Sequence, residues 1–466
     1  MFDNLKISKA IPFFKDKGSK LECKNYRPIS LLSNVNKIIE KIMYNRLYNF
    51  LEKYNCIYEN QFGFRSHHST NHALISLTEH VRNAIDNNNL ACGVFIDLPK
   101  AFDSVDHEIL LNKLEYYGIR EISKCWFQSY LTNRKQFVSI NGFDSKETIM
   151  KFGVPQGSVL GPLLFLIYIN DLNVAIKYST VRHFADDTNL VIYNKSPKKL
   201  QKQLNIDLRL LTNWLRANKI SLNSSKSELI IFRHPNKAIN YDFKIKIDGK
   251  KLIPSNYVKY LGILIDSNLN WSFHTEVLTA KLSRAIGMLA KIRHYVSKNT
   301  LRMIYFGIFS SLLTYGSQIW GQLKNKHMKR IENLQNKAIR VINFAKFNAP
   351  SNPLYKDSNI LKLSDHIKLQ NFMFVYDCNK KELPTVLLNN FIPVSNVHSH
   401  NTRGALQHKM SVPKVNTQIY GIQSITFQSV NIWNYMVSKF VEKQLHLQSI
   451  SLCKQVITNY FLDNYD

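Results

Sequence analysis

The sequence predicts an α+β fold, and three observations carry that prediction. Short β-rich runs alternate with amphipathic helical stretches up to about residue 265. Composition then turns to helix with little further strand signal. Two acidic clusters sit at the ends of apolar runs, around Asp97 and around Asp186-Asp187, inside the alternating part. At 466 residues the chain has room for two to four subdomains and a large core.

In chain order, residues 11–33 are irregular and basic. Pro28 disfavours helix at Arg27, and Ser33 is placed to cap a following helix. Val35, Ile38, Ile39, Ile42, Met43, Leu47, Phe50 and Leu51 recur at helical spacing and predict its buried face. Residues 61–65 (QFGFR) read as a loop or strand edge, and a second helix is expected over about 72–87. Residues 92–96 form an apolar run that reads as a buried strand ending at Asp97. Asp103 or Ser104 then caps a helix that stops at Gly118, and another spans 122–132. Asn141-Gly142 between β-rich runs predicts a hairpin. Residues 153–162 hold three glycines and two prolines, the composition of a backbone that lets something approach closely. Pro162 suits the first turn of a helix over 163–176.

The runs 181–184 and 189–193 predict a hairpin whose tight turn carries Asp186 and Asp187. Like charges held that close repel unless a cation lies between them. With the Asp97 strand beside the hairpin, Asp97 and Asp186 share a face, as a two-metal phosphoryl-transfer site requires. A helix over 199–217, a strand over 229–232 and a ribbon reaching residue 265 complete this part. Beyond it, Leu282, Ile286, Leu289, Ile292 and Val296 form one apolar face. Lys281, Arg284, Lys291, Arg293, Lys298 and Arg302 decorate the rest, with no acid between 281 and 302. A helix of single-sign charge suits a phosphate backbone. A second basic helix is expected over 326–340, and linkers with scattered helices from about 349.

Lysine plus arginine number 62 against 33 acids, a formal charge of +29, which points to a polyanionic partner, nucleic acid above all. The six cysteines form no short ligand spacing, which excludes zinc-ribbon readings and suits a reduced, intracellular setting. The most apolar run, 163–169, is too short to span a bilayer, so no membrane segment is expected.

These motifs resemble the reverse transcriptases of non-long-terminal-repeat (LINE-type) retrotransposons, the jockey-like group in particular. NYRPISLLS at 25–33 and QFGFR at 61–65 are similar to the family's finger motifs. FIDLPKAFD at 95–103, GVPQGSVLGPLLFLIYINDL at 153–172 and FADD at 184–187 resemble motifs A, B and C. SLNSSKSE at 221–228 and KYLGI at 259–263 resemble motifs D and E. The strong match covers about 11–265; YGSQIWG at 315–321, LQNKAIRVI at 334–342 and the TRG and WN signatures near 402 and 433 are less specific.

The resemblance implies a right-hand polymerase. Fingers would occupy 1–90, a palm with finger insertions 91–265, a basic helical thumb 266–348, and a C-terminal region of unknown role 349–466. Its implied activity is RNA-directed DNA synthesis, extending a DNA 3′-hydroxyl on an RNA template with deoxynucleoside triphosphates. Asp97, Asp186 and Asp187 would hold two Mg²⁺ ions, or Mn²⁺ in their place, with Ile96 and Leu98 flanking the metal set. Arg65 reads as a triphosphate contact, its guanidinium fork suiting phosphate oxygens, or as a surface arginine. Phe102 would wall the sugar pocket, and Gln156 and Gly157 would touch the incoming nucleotide and template. Lys226 reads as a proton donor to departing pyrophosphate or as a turn-capping lysine. Ala185, Tyr260, Leu261, Gly262 and the thumb residues Lys281, Arg284, Lys291 and Arg293 would contact primer and template.

Pro99 departs from the usual serine and removes an N–H donor two residues past Asp97, so a changed local backbone is expected there. No endonuclease pattern precedes residue 1, so the expectation is a truncated or split copy that polymerises without cutting its own target. The expected setting is a cytoplasmic ribonucleoprotein with the element's own RNA, acting in the nucleus. An inactive remnant that only binds nucleic acid is the alternative. A group II intron maturase would require a maturase-type domain and often a Cys/His nuclease tail, and no such tail is found.

Overall fold

A computed structural model describes residues 3–16, 18–237, 240–322, 326–397 and 403–465. At the N-terminus β1 (Ile7–Phe14) and β2 (Tyr26–Leu31) pair antiparallel with Ile11 opposite Ile29. Ser33 caps α1 (Asn34–Lys53) as expected, its Oγ accepting from the Asn36 N–H at 3.2 Å. The buried face of α1 differs from the periodicity reading. Leu47 and Leu51 are buried, but Val35, Ile38 and Ile42 are exposed, while Asn36 and Glu40 are fully buried. Polar partners on other elements turn that half of the helix.

Ser69 caps α2 (Thr70–Asp86), which leads into β3 (Leu90–Ile96), buried along its length. A short 3-10 turn over Ala101–Ser104 comes next, so Asp106 rather than Asp103 or Ser104 caps α3 (His107–Tyr116). After α4 (Glu121–Leu131), β4 (Lys135–Ile140) runs parallel to β1. Asn141 and Gly142, both left-handed at φ 50° and 86°, turn it into β5 (Phe143–Asp144), and β6 (Thr148–Ile149) returns along β4.

The single helix expected over 163–176 is two, α5 (Gly161–Ile169) and α6 (Leu172–Ala175). Asn170 sits at the break, its side chain accepting from the Tyr58 N–H and donating to the Cys56 carbonyl, each at 2.7 Å. Then come β7 (Thr180–Phe184), β8 (Asp187–Asn194), α7 (Pro197–Ala217) and β9 (Glu228–Phe232). Short strands β10 (Ile245–Ile247), β11 (Lys250–Leu252) and β12 (Pro254–Ser255) precede the hairpin of β13 (Tyr257–Tyr260) and β14 (Ile263–Asp266). Helices α8 (Ser272–Ile292) and α9 (Lys298–Ile304) open the helical part, which continues through Lys326–Ile342, Leu363–Asn379, Ile425–Lys439 and Ile450–Asp463.

One sheet, ordered β12-β9-β3-β8-β7, organises the chain. Side chains alternate across it. Cys92, Val94, Leu190 and Leu229 face a core with Leu110, Leu164 and Leu208 from α3, α5 and α7. Phe95, Val191 and Ile230 face a second core with Leu77 and Val81 of α2 and the C-terminal helices. The chain beyond 349, expected as linkers with scattered helices, does hold helices, and they pack into this second core, where Phe372 stacks on Trp433 at 4.8 Å. The TRG signature begins at Thr402, outside the described residues. Among the described residues no helix is long and apolar enough to cross a membrane.

Candidate active site

The hairpin of β7 and β8 closes with Phe184 opposite Asp187, so its turn consists of Ala185 and Asp186, and Asp187 opens the second strand. Ala185 takes a left-handed φ of 56°, unusual for a residue with a Cβ. The segment around Gln61 holds it there. Gln61 Oε1 accepts from the Ala185 N–H at 3.1 Å and from the Gly63 N–H at 2.8 Å. The Phe62 N–H donates to the His183 carbonyl at 2.8 Å, and the His183 N–H to the Asn60 carbonyl at 3.0 Å. A Cβ on Gly63 would lie 2.4 Å from the Ala185 nitrogen, so glycine is needed for this approach. QFGFR therefore braces the acidic turn.

β3 lies antiparallel beside β8 with Ile96 opposite Thr188, which brings Asp97 to the same end of the sheet as Asp187. The turn after α7 holds Asp97 by its main chain. The Asn223 N–H donates to the Asp97 carbonyl at 3.0 Å, and the Asp97 N–H to Ser227 Oγ at 3.4 Å. Lys226 stands exposed on that same turn. The three carboxylates sense one another. Loss of solvation, then the charges of Asp186 and Asp97, push Asp187 up to about 6. Loss of solvation and Asp97 also raise Asp186, while Arg27 opposes the rise. Asp187 keeps contact with solvent at the mouth of the site.

An all-oxygen, mutually repelling acid set fits hard divalent cations. Among the described residues no three acidic, His or Cys side chains are drawn close enough to ligate a single ion. The carboxylates are neighbours that a cation would draw in, rather than a closed cage. The side chains of Ile96 and Leu98 are buried in the core, so only their main chains could serve a metal.

Around the acids, Phe102 is half-buried. It stacks on Phe165 at 4.5 Å and meets the edge of Phe64 at 6.4 Å. Pro99 leaves this region paired: the Val154 N–H donates to the Phe102 carbonyl at 3.0 Å and the Gly153 N–H to the Val105 carbonyl at 2.7 Å. Gln156 Nε2 donates to Asp103 Oδ1 at 2.8 Å, and its carbonyl accepts from the Ser30 N–H at 2.7 Å. Gly157 has a φ of 125°, and a Cβ there would lie 2.5 Å from the Ser30 carbonyl oxygen. The glycine-rich loop thus sits against β2.

Three expected contacts are corrected. Arg65 does not stand free for a triphosphate. Its Nε and Nη2 donate to the two Glu52 oxygens at 2.9 Å each and its Nη1 to the Tyr58 carbonyl at 3.1 Å, fastening the end of α1. Ala185 is 4% exposed and shapes the turn from beneath. Tyr260, also 4% exposed, packs on Phe95 at 5.4 Å inside the core. Leu261 and Gly262 form the left-handed turn between β13 and β14, with Tyr315 Oη donating to the Leu261 carbonyl at 2.5 Å. Lys281, Arg284 and Lys291 are exposed on α8, and Arg293 lies over the Phe344 ring at 5.9 Å. The cation whose field reaches Asp186 is Arg27, which the sequence reading passed over although it lies within NYRPISLLS. It is exposed on β2 opposite Phe13.

Acids gathered at one end of a central, mainly antiparallel sheet, with a glycine-rich loop against β2 and basic helices further along the chain, define a class of mixed α/β scaffold with an acidic site at its sheet end. Residues 14–265 match the reverse transcriptase (RNA-dependent DNA polymerase) family, and the chain belongs to that family. Its relatives are polymerases of non-LTR retrotransposons. It is 30% identical to the probable RNA-directed DNA polymerase from transposon BS of Drosophila melanogaster, across 74% of this chain and 39% of that protein. It is 29% identical to the RNA-directed DNA polymerase from mobile element jockey of the same species, across 80% of this chain and 41% of that protein. The chain thus spans about two fifths of the length of these relatives. Among solved structures, the apo telomerase of Candida tropicalis aligns with 98% of this chain and 69% of its own at a TM-score of 0.45 and 10% identity.

Proposed function

We propose that this chain is the RNA-directed DNA polymerase of a non-LTR retrotransposon, extending a DNA 3′-hydroxyl on an RNA template by two-metal nucleotidyl transfer. The observation that carries the reading is the meeting of Asp97, Asp186 and Asp187 at one sheet end, within the stretch that matches the family. Mg²⁺ at these acids, or Mn²⁺, would lower the pKa of the primer hydroxyl and neutralise triphosphate charge. The protein's own work is then mostly positioning. Arg27, exposed on β2 and near enough for its charge to act on Asp186, supplies the cationic contact for the triphosphate. Phe102 bounds the sugar side, while Gln156 and Gly157 border the nucleotide. Lys226, exposed on the turn that holds Asp97, is available to protonate the leaving group. Exposed Ile11, Phe13, Ile29 and Leu31 share the β1–β2 face that carries Arg27 and offer an apolar platform for template bases. The lysines and arginine of α8 take the nucleic-acid backbone. The element's own RNA is the template proposed, within a cytoplasmic ribonucleoprotein that acts in the nucleus.

Primer extension on poly(rA)/oligo(dT) with Mg²⁺ tests this. The wild-type chain should extend the primer. Asp186→Ala should lower extension by at least about a thousandfold, while leaving RNA binding within about twofold. A folded chain that binds template and makes no product would instead be a nucleic-acid-binding remnant. Equal extension by wild type and variant would remove the metal assignment.

A further inference from the structure

The buried carboxylate of Glu40 takes no part in the chemistry proposed above. It lies on α1, fully shielded from solvent, on a helix whose neighbouring Val35, Ile38 and Ile42 are turned outward. Burying a carboxylate while exposing three branched apolar side chains runs against the hydrophobic pattern. Something must reward the exchange. Glu40 Oε2 accepts from the Val159 N–H at 2.6 Å, across 119 residues of chain. Its Oε1 accepts from the Tyr130 hydroxyl at 3.0 Å and from Asn36 Nδ2 at 2.9 Å. Both oxygens are therefore used, and every donor comes from a buried or nearly buried group. The guanidinium of Arg134, itself fully buried, lies over the face of the Tyr130 ring, 4.8 Å from its centroid, and so packs against the residue that donates to Glu40.

Val159 lies two residues beyond Gly157, between the glycine-rich loop and α5. The other side of the loop is held by the Ser30 N–H on the Gln156 carbonyl and by the close approach of Gly157 to Ser30. Ser30 belongs to β2 and Glu40 to α1, so the loop is gripped at two points from one N-terminal unit. Gln156 and Gly157 stand at the first grip, and Val159, at the second, fixes the main chain that follows them. A glutamine at position 40 keeps the shape of the carboxylate but loses its charge and one acceptor: with its Oε1 on the Val159 N–H, its NH₂ meets Asn36 Nδ2 and the Tyr130 hydroxyl, which must turn from donor to acceptor, and the Val159 contact is no longer charge-assisted.

We propose that Glu40 is a positioning residue for nucleotide binding: its carboxylate couples α1 to the Gln156–Gly157 loop and sets where that loop stands. The proposal rests on the polymerase reading for its kinetic consequence but not for its structural one.

The test pairs Glu40→Gln with the milder Tyr130→Phe, which removes one donor and leaves the Val159 contact. Steady-state single-nucleotide incorporation on a fixed primer–template should show the KM for deoxynucleotide raised about tenfold in Glu40→Gln. It should rise about threefold or less in Tyr130→Phe. In both, kcat and primer–template affinity should stay within about twofold. Hydrogen exchange on the unliganded protein should show faster exchange at Val159 and across 153–161, with the rest of α1 and α4 unchanged. An unchanged exchange rate at 153–161 would overturn the coupling. Accelerated exchange throughout α1 and α4, with fewer active molecules at an unaltered KM, would overturn it too, by assigning Glu40 to folding alone. Should the wild-type chain make no product, the polymerase reading fails and the exchange experiment still decides the coupling.

Discussion

Gly63 and Ala185 form the tightest residue-level contact at the site. The turn that carries Asp186 requires a left-handed alanine, and the glycine beneath it leaves room for main chain alone. Gly63→Ala inserts a methyl at 2.4 Å from backbone nitrogen, which no rotamer change relieves. The turn must shift, at a cost of about 1–3 kcal/mol in stability. A displacement of that size at the acids should lower primer extension by about a hundredfold. Thermal melting and extension assays check both, and extension at the wild-type rate would refute the brace.

The acids themselves carry a pH signature. Asp187 is raised from the ordinary carboxyl value of 3.8 to about 6, so the folded state holds its proton more tightly than the unfolded chain does. The sign follows. This contribution stabilises the metal-free fold at low pH and is lost as pH climbs from about 4 through about 6. Above that window a divalent cation held as proposed would offset the repulsion among Asp97, Asp186 and Asp187. The rise in Tm on adding Mg²⁺ should therefore be larger at about pH 7.5 than at about pH 5. Asp187→Asn should flatten that difference, and an equal Mg²⁺ effect at both pH values would count against the shared site.

At the scale of elements, α1 serves two purposes along its length. Its last turn is tied to the 58–65 segment by Arg65, which is bidentate on Glu52 and bonded to the Tyr58 carbonyl. This corrects the reading of Arg65 as a phosphate ligand. A guanidinium fork suits carboxylate as well as phosphate, and nothing local in QFGFR distinguishes them. Arg65→Ala should cost about 1–3 kcal/mol of stability. It should leave the KM for deoxynucleotide within about twofold, whereas Arg27→Ala should raise it about tenfold or more. The reverse pattern would restore Arg65 to the nucleotide. The first turns of α1 were misread for a related reason. Helical spacing names a stripe, but the partners of Glu40, to which Asn36 donates, lie on α4 and the 153–162 loop, far along the chain.

At the scale of the molecule, α2 joins the central sheet to the C-terminal region. Glu79 accepts from the Ile425 and Thr426 N–H groups at 2.9 and 3.0 Å, at the start of the Ile425–Lys439 helix. An anion there also suits the helix dipole. Two turns further along the same face, Asp86 accepts from the Asn416 and Thr417 N–H groups at 2.9 and 2.7 Å and from Thr417 Oγ1 at 2.6 Å. Between them Arg82, 1% exposed, donates to the Ile419 and Gln423 carbonyls at 3.0 and 3.1 Å. Asp86→Ala strands three donors and should destabilise the chain by about 2–4 kcal/mol. Exchange should quicken at 413–424 well before it does in the sheet. Uniform protection there would show that the C-terminal region is held by apolar packing alone.

Short-range chemistry was readable from the chain itself. The β-rich run before Asp97, the acidic hairpin, the Asn141-Gly142 turn and the helix cap at Ser33 each depend on residues two to four positions apart, whereas the cap at Ser69 was not anticipated. Local residue chemistry therefore sets the sheet-building runs, the acids at their ends and the motifs that mark the family. Tertiary structure decided which guanidinium faces the acids, which face of α1 is buried, and where residues beyond 349 pack. Those outcomes depend on hydrogen bonds and desolvation between groups more than a hundred residues apart, such as Glu40 with Val159, and local periodicity carries no information about such pairs.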